Sequence, residues 1–168
     1  MSKRDALDNA WRIHDAQADW TGKVDAKASF VFAIQSAALT AVLGLTGLDK
    51  IYNDLDAWWK VALYTLGLAL LAAGGVLAGI VVAPRLRSKV ASSEAHENFV
   101  YFGHAREWKP KELADQIRDG DIIDQLARQI IVMAKIGWVK HRLVQVSFWI
   151  GLGGGLVLVL LGVLLTAN

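Results

Sequence analysis

Leu143 to Asn168 reads LVQVSFWIGLGGGLVLVLLGVLLTAN, 26 residues without one Asp, Glu, Lys or Arg. Folded as a helix at about 1.5 Å of rise per residue, such a run is about 39 Å long and spans the roughly 30 Å hydrocarbon core of a bilayer. Two more uncharged stretches lie upstream, Ala28 to Leu48 with 21 residues and Val61 to Pro84 with 24. The fold class expected is therefore an all-α integral membrane protein with three transmembrane helices, at residues 28–48, 61–84 and 143–168. Between and before them lie an amino-terminal cytoplasmic helix (residues 1–27), a short external loop (49–60) and a small helical cytoplasmic domain (85–142).

The distribution of charge supports this more than its amount does. Charged residues make up 20% of the chain and sit in blocks, not interleaved along amphipathic periods. The first uncharged stretch follows 27 mostly polar residues and exceeds the roughly 7–15 apolar residues of a secretory signal, so it is expected to stay in the mature protein. With no cysteine, the chain has no disulfide, thiolate nucleophile or Cys-rich zinc site. A net charge of +2 is too small to argue for a nucleic-acid partner.

Lysine and arginine set the expected orientation. Residues 1–27 carry five and residues 85–142 carry eleven, whereas residues 49–60 carry only Lys50 and Lys60. Positively charged loops stay on the cytoplasmic side. In a bacterial inner membrane this puts the amino terminus and the long loop inside and the carboxyl terminus outside. Trp58 and Trp59 then suit the outer headgroup layer, and Arg85, Arg87 and Lys89 suit anionic headgroups at the inner one.

Within the first span Ser36, Thr40 and Gly44 form a small stripe that favours close helix contact, and Gln35 needs a polar partner. Gly75 with Gly79, and Gly151 with Gly155, have G-x-x-x-G spacing, which serves packing inside one bundle or association between copies, so a homo-oligomer is an expected partner state. No span holds an ionisable residue, which argues against a carrier or pump. A pore lined by Gln35, Ser36 and Thr40 of several copies stays open as an alternative.

Before the first span, Asp5 to Lys27 reads as a helix on which Arg12, Asp15, Asp19 and Lys23, at spacings of three and four, set opposite charges side by side, the pattern of an ion-pair ladder. The run Asp19-Trp20-Thr21-Gly22-Lys23-Val24-Asp25-Ala26-Lys27 is denser. An indole face, ammonium groups and carboxylates within a few turns are what a small anionic aromatic ligand such as a nucleotide requires. Snorkelling of Trp20, Lys23 and Lys27 at the membrane surface accounts for the basic residues alone and leaves Asp19 and Asp25 unexplained.

The loop from Arg85 to Arg142 is too long for a bare connection, and Pro84 is expected to end the second span. Its pattern predicts a helix from about Ser88 to Phe102 ended by Gly103, and a short one from Pro110 to Gly120. A third begins near Asp121, with Ile122, Leu126, Ile130, Met133 and Gly137 on one face. Its continuity with the third span stays open. No alternating strand pattern of useful length appears. His96 and His104 are eight apart, which does not stack two ligands on adjacent turns, so no metal is expected. His14-Asp15 stands without further ligands, and the chain has no phosphate-cradling loop and no nucleophile, base and orienter set. No catalytic residue, cofactor or enzyme activity is expected.

Trp11-Arg12-Ile13-His14, then Asp19 through Ser29 leading into a span, resembles the small transmembrane effectors of bacterial Pycsar anti-phage systems. Asn98-Phe99-Val100-Tyr101-Phe102-Gly103 resembles that family's aromatic-glycine motif, and Asp121 through Gln129 followed by Lys140 is similar to its closing helix. The resemblance implies an effector that senses a cyclic pyrimidine mononucleotide, cCMP or cUMP, made by a partner nucleotide cyclase. The effector then impairs inner-membrane integrity in an abortive infection. Asp19, Trp20, Lys23, Asp25, Lys27, Asn98, Tyr101 and Phe102 are the expected ligand-binding residues: Lys23 or Lys27 for the phosphate, Trp20, Tyr101 or Phe102 for the base. Competing readings are a constitutive membrane scaffold and a ligand-independent channel or toxin.

Overall fold

The computed structural model describes residues 2–47, 49–83 and 98–167. Pro84, the Arg85, Arg87 and Lys89 cluster, His96 and most of the helix expected from Ser88 lie outside them. The described helices are α1 (Lys3–Gly44), α2 (Trp58–Val82), α3 (Phe102–Ala105), α4 (Pro110–Asp119) and α5 (Ile122–Thr166), and no strand occurs among the described residues. Three of them, α1, α2 and α5, are long and apolar enough to cross a membrane.

Local chemistry sets the ends of these helices. Ser2 and Asp5 form a reciprocal capping pair at the start of α1: the Asp5 N–H donates to Ser2 Oγ at 3.1 Å, and the Ser2 N–H to Asp5 Oδ2 at 2.9 Å. Ser2's backbone, and then its hydroxyl, hold the Asp5 carboxyl below its ordinary value. At the end of α2, Ala83 leaves the helical region with ψ 126°, as expected of a residue that precedes a proline. α4 starts on Pro110 and is followed by Gly120. The helix beginning after Asp121 continues without a break to Thr166, which answers the question of its continuity.

One expected helix is corrected in its last turn. Asn98 to Tyr101 are not helical, and Gly103 lies inside α3 instead of ending a longer helix. Asn98 Oδ1 accepts the Val100 N–H at 2.8 Å, and Gln125 Oε1 accepts the Phe99 N–H at 3.2 Å. These side-chain acceptors take donors that a helix would have used internally.

The chain divides into two compact units, one of Met1–Lys23 with Pro84–Val139, the other of Val24–Ala83 with Lys140–Asn168. In the second unit Tyr52, Tyr64, Leu71, Leu158 and Leu161 form the buried core, joined by Ala38, Leu39, Val42 and Leu55. Large apolar side chains such as Phe30, Val76, Trp149 and Leu160 point outward and are more than half exposed, the surface a helix bundle presents to lipid.

The loop between α1 and α2 is tied to the bundle. Gly47, at φ 125°, turns the chain after α1. Lys50 Nζ then caps the Gly44 carbonyl at 2.8 Å. Tyr52 donates its O–H to the Leu158 carbonyl at 2.8 Å, and Thr46 Oγ1 and Tyr64 Oη lie 2.7 Å apart. Trp58 is 83% exposed at the start of α2, as a headgroup anchor would be.

The helices of this unit meet at glycines, though mostly not at the expected pairs. A Cβ on Gly67 would lie 2.5 Å from Leu158 Cγ, and one on Gly154 2.8 Å from the Gly67 carbonyl oxygen. Gly155 and Gly44 face open space, and Gly79 and Gly75 meet only ordinary contacts with Phe32 and Gln35. The Ser36, Thr40 and Gly44 stripe is likewise not the buried face of α1, which carries Val24, Ala28 and Gln35. Gln35 points into the bundle of its own chain, where it donates to Ser147, so it does not line a pore between copies in this arrangement.

Candidate functional site

The expected ligand residues fall into both units. Asp19, Trp20, Lys23, Asn98, Tyr101 and Phe102 belong to the first, Asp25 and Lys27 to the second.

On α1, Trp20 and Lys23 are one turn apart and therefore share a face. Trp20 is 59% exposed. Lys23 Nζ sits 2.6 Å from Asp19 Oδ2, with both side chains more than half exposed. The rest of the expected ladder is absent among the described residues: Asp15 turns its carboxylate to His14 Nδ1 at 3.3 Å instead of to Arg12. His14 in turn meets Trp11 edge-on at 5.4 Å.

The aromatic-glycine segment is built around Tyr101. Its ring packs against Phe102 at 4.6 Å and edge-on to His104 at 5.2 Å. Gly103 is buried, and a Cβ there would overlap Tyr101 Cε1. The glycine thus provides clearance for the neighbouring ring, which explains its place inside α3. Phe102 stays 69% exposed, and Asn98 accepts the Val100 N–H at its Oδ1 and donates to no side chain or carbonyl among the described residues. Behind this segment α5 buries Gln125, Leu126 and Gln129, the face read from Ile122, Leu126 and Ile130. Phe99 and Trp108 close the other side with rings at 6.3 Å.

In the second unit Asp25 is already engaged. Lys140 Nζ reaches its two carboxylate oxygens at 2.7 and 2.8 Å. Lys27 is exposed and makes no ion pair among the described residues. Sequence reading placed Asp25 with the ligand and missed its pairing. The signal was present, because Asp25 and Lys140 each stand three residues before an uncharged stretch and so lie at one depth. No cluster of three metal-ligating side chains occurs among the described residues.

Comparison with known families decides what this assembly belongs to. The family described as Pycsar effector protein domain matches residues 9–167, nearly the whole chain. The protein is a member of the Pycsar effector family. It is thus an effector of an anti-phage defence system, and the three apolar helices make it a membrane protein. No curated protein and no solved structure matches it. In this Pycsar effector the matched segment takes in both the Trp20–Lys23 turn and the Tyr101–Phe102 segment.

Proposed function

We propose that the chain senses a cyclic pyrimidine mononucleotide, cCMP or cUMP, on the cytoplasmic side of the bacterial inner membrane and answers by impairing that membrane, so that the infected cell stops growing. The observation that carries this reading is the Trp20–Lys23 turn: an exposed indole and an exposed ammonium on one face of α1, a helix that continues without interruption through its apolar stretch. A cyclic nucleotide offers one phosphodiester charge and one flat base, the two features such a turn satisfies. The Asp19–Lys23 pair does not block it. An exposed ion pair is worth about 0.2–1 kcal/mol, so Lys23 exchanges it for a charge-assisted phosphate contact at little cost.

Within the same unit Phe102 supplies a second exposed ring, held from behind by Tyr101, and the Asn98 amide suits a pyrimidine carbonyl. Lys27 adds positive charge near the membrane. The role of Asp25 in this reading is to hold α1 to α5 through Lys140. Ligand occupancy favours one arrangement of the spans, or of an oligomer of copies, by as much as the ligand prefers it. No bond is made or broken, so the proposed activity is non-enzymatic and needs no cofactor. A partner cyclase supplies the ligand.

Calorimetric titration of the detergent-solubilised full chain with cCMP, cUMP, cAMP and cGMP tests the sensing step. Heat with one pyrimidine and none with the purines supports it; no binding of either pyrimidine rejects it in favour of a scaffold. Dye-loaded liposomes carrying the protein test the response. Leakage that does not depend on nucleotide would identify a ligand-independent channel instead.

A further inference from the structure

Gln35 is a polar side chain placed where lipid-spanning helices meet. It is 6% exposed, and at about 1.5 Å per residue it lies about 12 Å along α1 from Lys27, the last charge before the span. Its Nε2 donates to the Ser147 carbonyl of α5 at 2.9 Å. Ser147, itself fully buried, donates its Oγ to the Gly74 carbonyl of α2 at 2.7 Å. The three membrane helices are thereby joined through two hydrogen bonds at one level.

Glycine makes the level habitable. A Cβ on Gly74 would lie 2.7 Å from Gln35 Oε1, and one on Gly151 would overlap Gln35 Nε2. The amide is seated in a notch cut from both neighbouring helices. Yet its Oε1 is buried and accepts no hydrogen bond among the described residues. An acceptor left unpaired in a water-free interior raises the free energy of the state that buries it, while the Ser147 carbonyl that Gln35 bonds lies within α5 and loses only an added donor if the side chain is apolar.

We propose that the Gln35–Ser147–Gly74 junction is a metastable latch on the membrane bundle, in which the unpaired Gln35 oxygen biases the helices toward parting and the Ser147 hydroxyl holds α2 against α5. When the helices part, water reaches Oε1 and satisfies it. The packed bundle is thus set near a threshold that a modest ligand preference can cross. This use of the latch rests on the membrane response proposed above, whereas the latch itself is a property of the bundle without ligand.

The two substitutions that test it have opposite expected signs. Gln35→Met keeps the volume and removes the unpaired acceptor, so amide hydrogen exchange in peptides covering residues 67–79 and 143–155 of the ligand-free, detergent-solubilised chain should slow roughly tenfold. Ser147→Ala removes one interhelical bond and should speed the same peptides about threefold. Gln35→Leu is a second apolar replacement with the same expected sign as Gln35→Met. A purely structural role for Gln35 makes both classes of variant exchange faster. Faster or unchanged exchange in either Gln35 variant that folds, or failure of both to fold, overturns the latch. Pyrimidine binding by the wild-type chain is measured separately, so its absence removes the sensing reading and leaves this outcome standing.

Discussion

Lys140 binds both carboxylate oxygens of Asp25, at 2.7 and 2.8 Å, across 115 positions of the chain. The pair joins α1 to α5 beside Val24 and Ala28, which are fully buried. A two-oxygen grip fixes the rotation of one helix against the other in a way that apolar packing alone does not.

Because the Lys140 and Asp25 side chains are 24% and 38% exposed, their attraction is partly screened. A double-mutant cycle of Asp25→Asn and Lys140→Met, read by thermal unfolding in detergent, should give a coupling of about 1 kcal/mol that weakens as salt is raised. A coupling near zero at low salt would remove the pair from the account of how α1 is held.

The glycines that pack and those that do not make a second prediction. Gly154→Ala sets a methyl 2.8 Å from the Gly67 carbonyl oxygen and from Leu70 Cβ, so the helices must shift, at about 1–3 kcal/mol. Gly155→Ala, one position on and facing open space, should be neutral or stabilising by up to about 1 kcal/mol. Equal effects of the two on unfolding temperature would contradict the α2–α5 crossing described.

A third concerns pH. Burial, and then the neighbouring Tyr64, push the Tyr52 phenol above its ordinary value. The folded state therefore favours neutral Tyr52. Its contribution is fully present below the ordinary tyrosine value and is lost as pH rises from about 10 through the raised one. Thermal unfolding should show a stability loss above about pH 10 that Tyr52→Phe reduces, at a cost of about 1 kcal/mol at neutral pH for the lost bond to Leu158. At the opposite end of the scale Asp56, held below its ordinary value by Lys60, contributes only above the usual carboxylate range.

Most of the architecture was legible in the order of residues, because exclusion of charge over more than 20 positions has one common physical cause. Pro110 and Gly120 marked α4 for equally local reasons, a fixed φ at one end and a helix stop at the other. What stayed hidden was set by partners distant in sequence. The G-x-x-x-G spacing pointed to Gly75 with Gly79 and Gly151 with Gly155, but which face of a helix is pressed against another is decided by the whole bundle, and of these four it pressed only Gly151 close, beside Gly67, Gly74 and Gly154. Gln35 plainly needed a partner, yet that partner was a backbone carbonyl at Ser147, a group every residue carries. The helix expected to reach Phe102 failed for the same reason, since Gln125 on α5 takes the Phe99 N–H. Of the candidate site, the Trp20–Lys23 face followed from helical spacing, while the commitment of Asp25 to Lys140 did not.

Gly103 offers the sharpest local test of the aromatic segment. A methyl at this position would overlap Tyr101 Cε1, so Gly103→Ala forces the Tyr101 ring to rotate away from Phe102 and His104. The backbone of α3 tolerates alanine, and the bundle of α1, α2 and α5 in the second unit has no share in the contact. Base stacking on an aromatic platform is worth about 1–3 kcal/mol, so a displaced platform should weaken pyrimidine affinity by roughly 5- to 150-fold. Phe102→Ala, which removes the exposed ring while leaving Tyr101 in place, should weaken it by a similar factor with no change in unfolding temperature. Calorimetry of both variants beside the wild type checks this, and near-ultraviolet circular dichroism reports the movement of the Tyr101 ring. If Gly103→Ala alters the tyrosine signal and the nucleotide still binds with unchanged affinity, the base is read elsewhere, with Trp20 the remaining exposed ring of the proposed site.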